Sequence, residues 1–424
     1  MRRRADGEAV LFTAAGSLAV VHALDDAFVH RGPGVGVGEF ALLALVAIVV
    51  WAAGSAAFPR LRPGLRATLA LTFGALAVAN GGSHVLHVAS DGVAGGDVTG
   101  LLAAAAGITL LGLATAIPWR HRGEATTSRR RRWAGRALVS VGAFLGVALV
   151  LVPAGMGIVS AHKGREAIGP RPGPAYADVS LRSSDGLRLA GWYRPSRNGA
   201  AVLVLHGGGG DRRGAVRHAR MLARHGYGVL LYDARGRGES DGAPNDYGWG
   251  WPKDVAGALA FLHDRPDVDP RRIGALGLST GADVLIQAAA QRRDVGALVA
   301  DGAAAGSFED WHRLRGNAIG AAPGWFLFTT LRAVSADGPG PPLEDLVRRL
   351  RSPTLLISAG RAEERQFNML YDRAAGDGAP VEHWNLPRAQ HTRGIRQAPA
   401  MYERRVVGFL DAALRPGPAL PAPR

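Results

Sequence analysis

Two patterns of apolar residues divide the chain near residue 160. Before that point, apolar residues run on for about 20 positions at a time, the length a helix needs to cross about 30 Å of hydrocarbon. Windows 10–28, 40–58, 67–88, 98–117 and 137–159 have this character and predict an all-α transmembrane bundle of about five helices over residues 1–160. Their abundant Ala, Gly and Val let helix backbones approach closely. After a linker at 161–175 with a Gly-Pro-Arg-Pro-Gly-Pro stretch, the apolar runs shorten to strand length and alternate with helical periodicity. That alternation predicts an α/β domain over 176–414, with a mostly parallel sheet covered by helices.

Within this domain, continuous apolar runs at 201–205, 228–232, 273–276, 295–300 and 354–358 read as buried parallel strands, with 381–385 as the last. Segments 179–182 and 187–193 form an antiparallel lead-in that turns at Ser184-Asp185-Gly186. Helices are expected at 215–224, 252–263, 282–291 and 399–414, the last with proline in its first turn. A segment at 303–351, rich in aromatic residues such as Phe308, Trp311, Trp325, Phe326 and Phe328, reads as a cap-like insertion. Residues 415–424 read as a disordered tail.

Charge placement orients the apolar windows. The 50 Lys and Arg against 35 Asp and Glu leave a net charge of +15, nearly all of it from arginine, since lysine occurs only at Lys163 and Lys253. The arginines alternate between loops. Arg2–Arg4, the loop with Arg60, Arg62 and Arg66, and the loop holding Arg129–Arg132 are basic, whereas the intervening loops carry Arg31 alone or Asp91 and Asp97. Basic loops stay in the cytoplasm, so the domain after residue 159 is expected outside it. The Arg129–Arg132 run, lying between two apolar windows, fits anionic lipid headgroups rather than nucleic acid, and the lipid bilayer is the expected partner. Window 10–28, preceded by Arg2–Arg4, also fits a signal peptide, but no small-residue cleavage site follows, and the span reading is preferred. His22, Asp25 and Asp26 share one helical face, and His84 and His87 are three apart. Both groups fit interfacial residues facing water better than a metal site, so no metal is assigned.

There is no cysteine, which removes thiolate nucleophiles, disulfides and Cys-ligated metals and leaves the chemistry to Ser, His and carboxylates. Gly-x-Ser-x-Gly occurs twice, at Gly238–Gly242 around Ser240 and at Gly277–Gly281 around Ser279. Ser240 follows a glycine-arginine loop and opens no helix, whereas Ser279 stands between a buried strand and an apolar helix, where a sharp turn would present its hydroxyl as a nucleophile. Such a serine needs a base and a carboxylate to orient it, following in that chain order as acid and then His. Glu363, just past the strand at 354–358, is the first choice of acid, with Glu364 and Asp301 as alternatives. His391, in Gln390-His391-Thr392-Arg393-Gly394 between the last strand and the last helix, is the base, in preference to His383 inside that strand. The run His206-Gly-Gly-Gly-Gly210 frees backbone N–H groups, so Gly207 or Gly208, together with the N–H of Thr280, would form an oxyanion hole. No Gly-Lys-Ser/Thr follows it, which argues against a phosphate cradle.

At these residues the chain resembles the α/β-hydrolase superfamily, especially its serine aminopeptidase-like and esterase-like bacterial members. The resemblance covers roughly residues 176–414. It rests on the loop at His206, the Asp-x-Arg-Gly-x-Gly-x-Ser segment from Asp233, the elbow at Ser279 and the Ala-x-His-Thr pattern at His391. It implies a triad of Ser279, an acid and His391, hydrolysis through an acyl-enzyme and no cofactor. One departure stands out, since family members usually offer Asp where this loop has Glu363 and Glu364. The sequence thus predicts a membrane-anchored serine hydrolase acting on esters with apolar acyl groups, with thioesters and amides as further candidates. The rival from another class is a membrane receptor or accessory protein whose hydrolase-like domain binds a ligand without turning it over.

Overall fold

The computed structural model describes residues 2–28, 37–91, 97–121, 146, 149–150, 152–162, 168–360, 362–376 and 378–415. The chain divides into two compact units, Met1–Gly155 and Met156–Arg424.

The first unit holds helices α1 (Arg2–Phe28), α2 (Val37–Ala57), α3 (Pro63–Asp91) and α4 (Asp97–Arg120). Helices α3 and α4 approach through glycines. A Cβ on Gly74 would lie 3.0 Å from the Gly107 carbonyl oxygen, and one on Gly81 would lie 2.4 Å from that of Gly100. Backbones this close need small residues, which is how helices pack when no water drives them together. Four of the five expected windows fall on these helices. Among the described residues, two stretches, Asp6–Asp25 and Val98–Arg120, are long and apolar enough to cross a membrane, so a bundle of five is not what the described helices establish. Window 137–159 lies mostly outside the described residues, and its end forms helix α5 (Val152–His162). In the first unit, Thr99 donates to Asp25 at 2.6 Å and accepts from His22 Nδ1 at 3.1 Å, while the His22 and His84 rings meet edge to face at 4.8 Å. The side chains of Asp26 and His87 lie outside the described ones.

The second unit is built on an eight-stranded mixed sheet: β1 (Ala177–Arg182), β2 (Arg188–Arg194), β3 (Ala201–Leu205), β4 (Gly228–Tyr232), β5 (Ile273–Leu278), β6 (Ala297–Asp301), β7 (Thr354–Ala359) and β8 (Val381–Leu386). Their order is β1-β2-β4-β3-β5-β6-β7-β8, antiparallel across β1, β2 and β4 and parallel from β4 onward. This is the α/β-hydrolase fold. Strands β3 to β7 are buried throughout, because helices cover both faces and leave no strand side for water. One apolar layer joins β3, β5 and β6 to helices α7 (Trp251–His263) and α8 (Thr280–Gln291); the other joins the sheet to α6 (Val216–Arg224) and the closing helix. The expected strands and helices are found to within a few residues, β6 beginning at Ala297 instead of 295 and running on to Asp301, whereas the residues after β7, expected as a loop, form a helix at Ala362–Ala375. The insertion at 303–351 forms α9 (Phe308–Arg315), α10 (Ala318–Val334) and α11 (Leu343–Val347).

After β3 the chain first lays β4 on one side and later returns to lay β5 on the other. Strand order therefore reverses between β3 and β5, and the loops leaving their carboxyl ends diverge and open a crevice. The loop at His206 and the turn at Ser279 are those two loops.

Candidate active site

Ser279 joins the end of β5 directly to α8 with φ 54° and ψ −123°, in the left-handed half of conformational space that side chains rarely adopt. The flanking glycines make the turn sterically feasible. A Cβ on Gly277 would lie 2.4 Å from the Gly281 carbonyl oxygen, and one on Gly281 would lie 2.5 Å from that of His206. Hydrogen bonds hold the strained serine in place: its N–H donates to Asp301 O at 2.8 Å, and its carbonyl accepts from Ala282 N at 2.7 Å.

The imidazole of His391 faces this serine from the loop after β8. Its Nε2 lies 2.9 Å from Ser279 Oγ, and its Nδ1 lies 2.7 Å from Glu364 Oε2. With a carboxylate at Nδ1, the proton belongs on that nitrogen, and Ser279 donates to Nε2. A Cβ on Gly302, which has φ +80°, would sit 2.8 Å from His391 Cε1, so only glycine lets the ring lie there. Glu364 is 4% exposed, and its other oxygen accepts from Ala359 N at 2.7 Å.

The choice of Glu363 as acid is corrected by this geometry. Glu363 is nearly half exposed and pairs with Arg315 at 2.7 Å, whereas its neighbour Glu364 points inward to His391. Both belong to helix α12 (Ala362–Ala375), where successive side chains are turned about 100° apart, so only one of two adjacent glutamates can face the sheet. Asp301, the other alternative, does not touch His391. It is buried at the end of β6 and accepts from the Tyr402 hydroxyl at 2.7 Å. Burial pushes its carboxyl up to about 7, with a further push from the Glu364 carboxylate, while the Tyr402 hydrogen bond and His391 pull the other way. His383 lies within β8 and meets Ser358 Oγ at 2.8 Å, away from Ser279.

Gly207, Gly208 and Thr280 gather beside the serine. A Cβ on Gly207 would lie 3.2 Å from Ser279 Cβ, and one on Gly208 would lie 2.0 Å from Asp246 O and 2.6 Å from Thr280 Oγ1. The loop backbone thus approaches the elbow as closely as atoms allow, and Thr280 stands at the N-terminus of α8, where the helix dipole favours negative charge. His206 braces the loop, with Nδ1 donating to Gly207 O at 2.7 Å and Nε2 accepting from Ala234 N at 3.1 Å. Burial holds it neutral, with a pKa of about 4. A cavity of about 600 Å³ opens on the His391 side, lined by Gly360, Pro387, Ala389, Gln390, His391 and Arg393.

Sequence reasoning missed the loop 245–249. There Asp246 O accepts from the Thr280 hydroxyl at 2.7 Å, and Trp249 donates to Gly306 O at 2.9 Å. Nothing in its composition marks it, because its role comes from main-chain atoms. Of the aromatic residues in the insertion, Phe328 packs on Tyr247 and Trp249, while Trp325 is about half exposed.

Residues 113–403, more than half of the chain, match the family model of the X-Pro dipeptidyl-peptidases (S15 family). An uncharacterised protein of Mycobacterium tuberculosis, Rv2307c, is 43% identical over 124 residues, 28% of this chain and 43% of the relative. The thiohydrolase aneE of Aspergillus aculeatus is 34% identical over 118 residues, 27% of this chain and 37% of its own. The chain thus spans less than half the length of these curated relatives. Among solved structures, the esterase Pf2001 of Pyrococcus furiosus aligns over 59% of this chain and 97% of its own, at 24% identity and a TM-score of 0.49.

Proposed function

The chain belongs to the X-Pro dipeptidyl-peptidase (S15) family, and from that premise we propose that this α/β-type hydrolase is a membrane-anchored serine hydrolase that cleaves esters of apolar acyl groups through an acyl-enzyme. The observation that carries the reading is the unbroken chain Ser279–His391–Glu364, with contacts of 2.9 and 2.7 Å.

In this reading His391 takes the Ser279 proton as Oγ attacks the carbonyl carbon, and Glu364 stabilises the imidazolium that results. The N–H groups of Gly207 or Gly208 and of Thr280 stabilise the oxyanion. His391 then returns the proton to the departing alcohol, and water hydrolyses the acyl-enzyme by the same route in reverse. The basic loops of the first unit, its two long apolar helices and the apolar run at 137–159 support an anchor with the hydrolase unit outside the cytoplasm.

The test is a fluorophosphonate probe on membranes carrying the full-length protein or Ser279→Ala. Labelling of the first and not the second is expected, and equal absence in both would return the chain to the ligand-binding reading. The family match favours one second reading, release of dipeptides from X-Pro peptides. Aminocoumarin X-Pro substrates, run beside nitrophenyl esters of graded chain length, separate the two.

A further inference from the structure

Helix α5 belongs to the hydrolase unit from Met156 on. Gly157 lets it lie against α10, since a Cβ there would be 2.4 Å from the Leu327 carbonyl oxygen. Farther along, the Ser160 carbonyl accepts from Asp246 N at 2.9 Å, and the Asp246 carbonyl accepts from the Thr280 hydroxyl at 2.7 Å. Two hydrogen bonds therefore connect this helix to the residue that follows the nucleophile. Ala161 of this helix also packs into a buried apolar cluster with Trp249, Leu327, Phe328 and Leu331.

The outer side of the same helix pair exposes large apolar side chains on both helices, beside Thr329 and Arg332 of α10. Among the described residues of the hydrolase unit, five large apolar side chains are substantially exposed. Met156 at 51%, Val159 at 60% and Trp325 at 48% lie on this pair, while Met369 and Met401 lie elsewhere. The run 137–159 carries no charged residue and is followed by His162, Lys163 and Arg165. Met156 and Val159 lie at the end of this run beside its basic flank, the sequence pattern of a boundary where apolar side chains meet lipid and basic ones meet headgroups. Trp325 has the amphipathic ring that such a boundary favours.

We propose that the α5–α10 pair rests in the surface of a lipid bilayer and that the hydrolase takes its substrate, a long-chain ester, from that leaflet. This deepens the proposed function and rests on it. The chemistry is unchanged: the Ser279 Oγ–acyl bond forms, the ester C–O bond breaks, the alcohol leaves with the proton carried by His391, and water releases the fatty acid.

The chain has no cysteine, so one introduced thiol reports one position. Full-length Trp325→Cys, Val159→Cys and, as a control, Met401→Cys would each carry a nitroxide label in phosphatidylcholine vesicles. Labels at 325 and 159 are expected to be relaxed by oxygen and shielded from a water-soluble nickel chelate, with the reverse at 401. In the same vesicles, Trp325→Ser should lower the ratio of vesicle-borne to soluble ester turnover by about fivefold or more. Equal nickel access at 325 and 401 would overturn the proposal. So would shielding in detergent that grows with protein concentration, because the covering partner would then be a second copy. Failure of the parent reading looks different: the wild type would then lose fluorophosphonate labelling and soluble ester turnover altogether.

Discussion

The chain carries two Gly-x-Ser-x-Gly segments, and the fold uses them in opposite ways. Ser279 stands on a strained turn with its hydroxyl presented to His391. Ser240 is fully buried. Its hydroxyl donates to Asp233 O at 2.6 Å and accepts from Ala190 N at 2.9 Å, fastening a loop to the ends of the paired strands β2 and β4. Its glycines also serve a different end, since Gly238, at φ 45°, would drive a Cβ to within 2.1 Å of the Asp233 carboxylate. The same five-residue pattern thus presents a hydroxyl to a histidine where a parallel strand turns into a helix and forms a latch where the loop closes on itself. Two adjacent glutamates repeat the lesson on a smaller scale: Glu364 lies 2.7 Å from His391 Nδ1, and Glu363 forms a surface ion pair.

The sharpest way to break the comparison is to exchange the fates of the serines. Ser279→Ala should lower ester turnover by about 10⁴-fold or more with little change in Tm, as activity and circular dichroism on the same preparation would record. Glu364→Gln comes next, with turnover down by about 10²- to 10⁴-fold, because an amide cannot balance the imidazolium charge. Ser240→Ala should leave the turnover of folded protein near wild type but cost about 2 kcal/mol of stability, since a buried N–H and a buried carbonyl both lose a partner; denaturant unfolding measures it.

Asp301→Asn should flatten the pH dependence of stability. The folded-state carboxyl, raised to about 7, holds its proton where the unfolded chain, with a carboxylate near 4, has released it. The folded state then binds more protons, so wild-type stability falls as pH rises from about 4 to 7, and the asparagine variant loses that contribution. Melting at pH 5 and pH 8 compares the slopes. Smallest of all is Glu363→Gln, expected within about 0.5 kcal/mol and twofold in turnover. A Glu363→Gln loss as large as that of Glu364→Gln would refute the assignment of the acid.

Legibility followed how local each signal was. Buried parallel strands announce themselves as apolar runs, and strands β3, β5 and β7 fall where those runs lie. The serine and histidine were readable because strand–turn–helix context and chain order are local features, and the structure brings Ser279 and His391 to 2.9 Å. The acid was not, because Glu363 and Glu364 share one loop in sequence and differ only in which side of α12 they occupy. The loop at Asp246 left no mark at all, since it acts through a carbonyl that every residue possesses.

Strand periodicity, the glycine pairs that permit a strained turn and the run of apolar windows are properties of neighbouring residues, and local sterics and hydrophobicity suffice to write them into the chain. Which of two adjacent carboxylates turns inward and which carbonyl fastens Thr280 depend on contacts between segments distant along the chain. Those contacts arise when the sheet closes and packing orients each side chain, and no stretch of sequence carries that orientation alone.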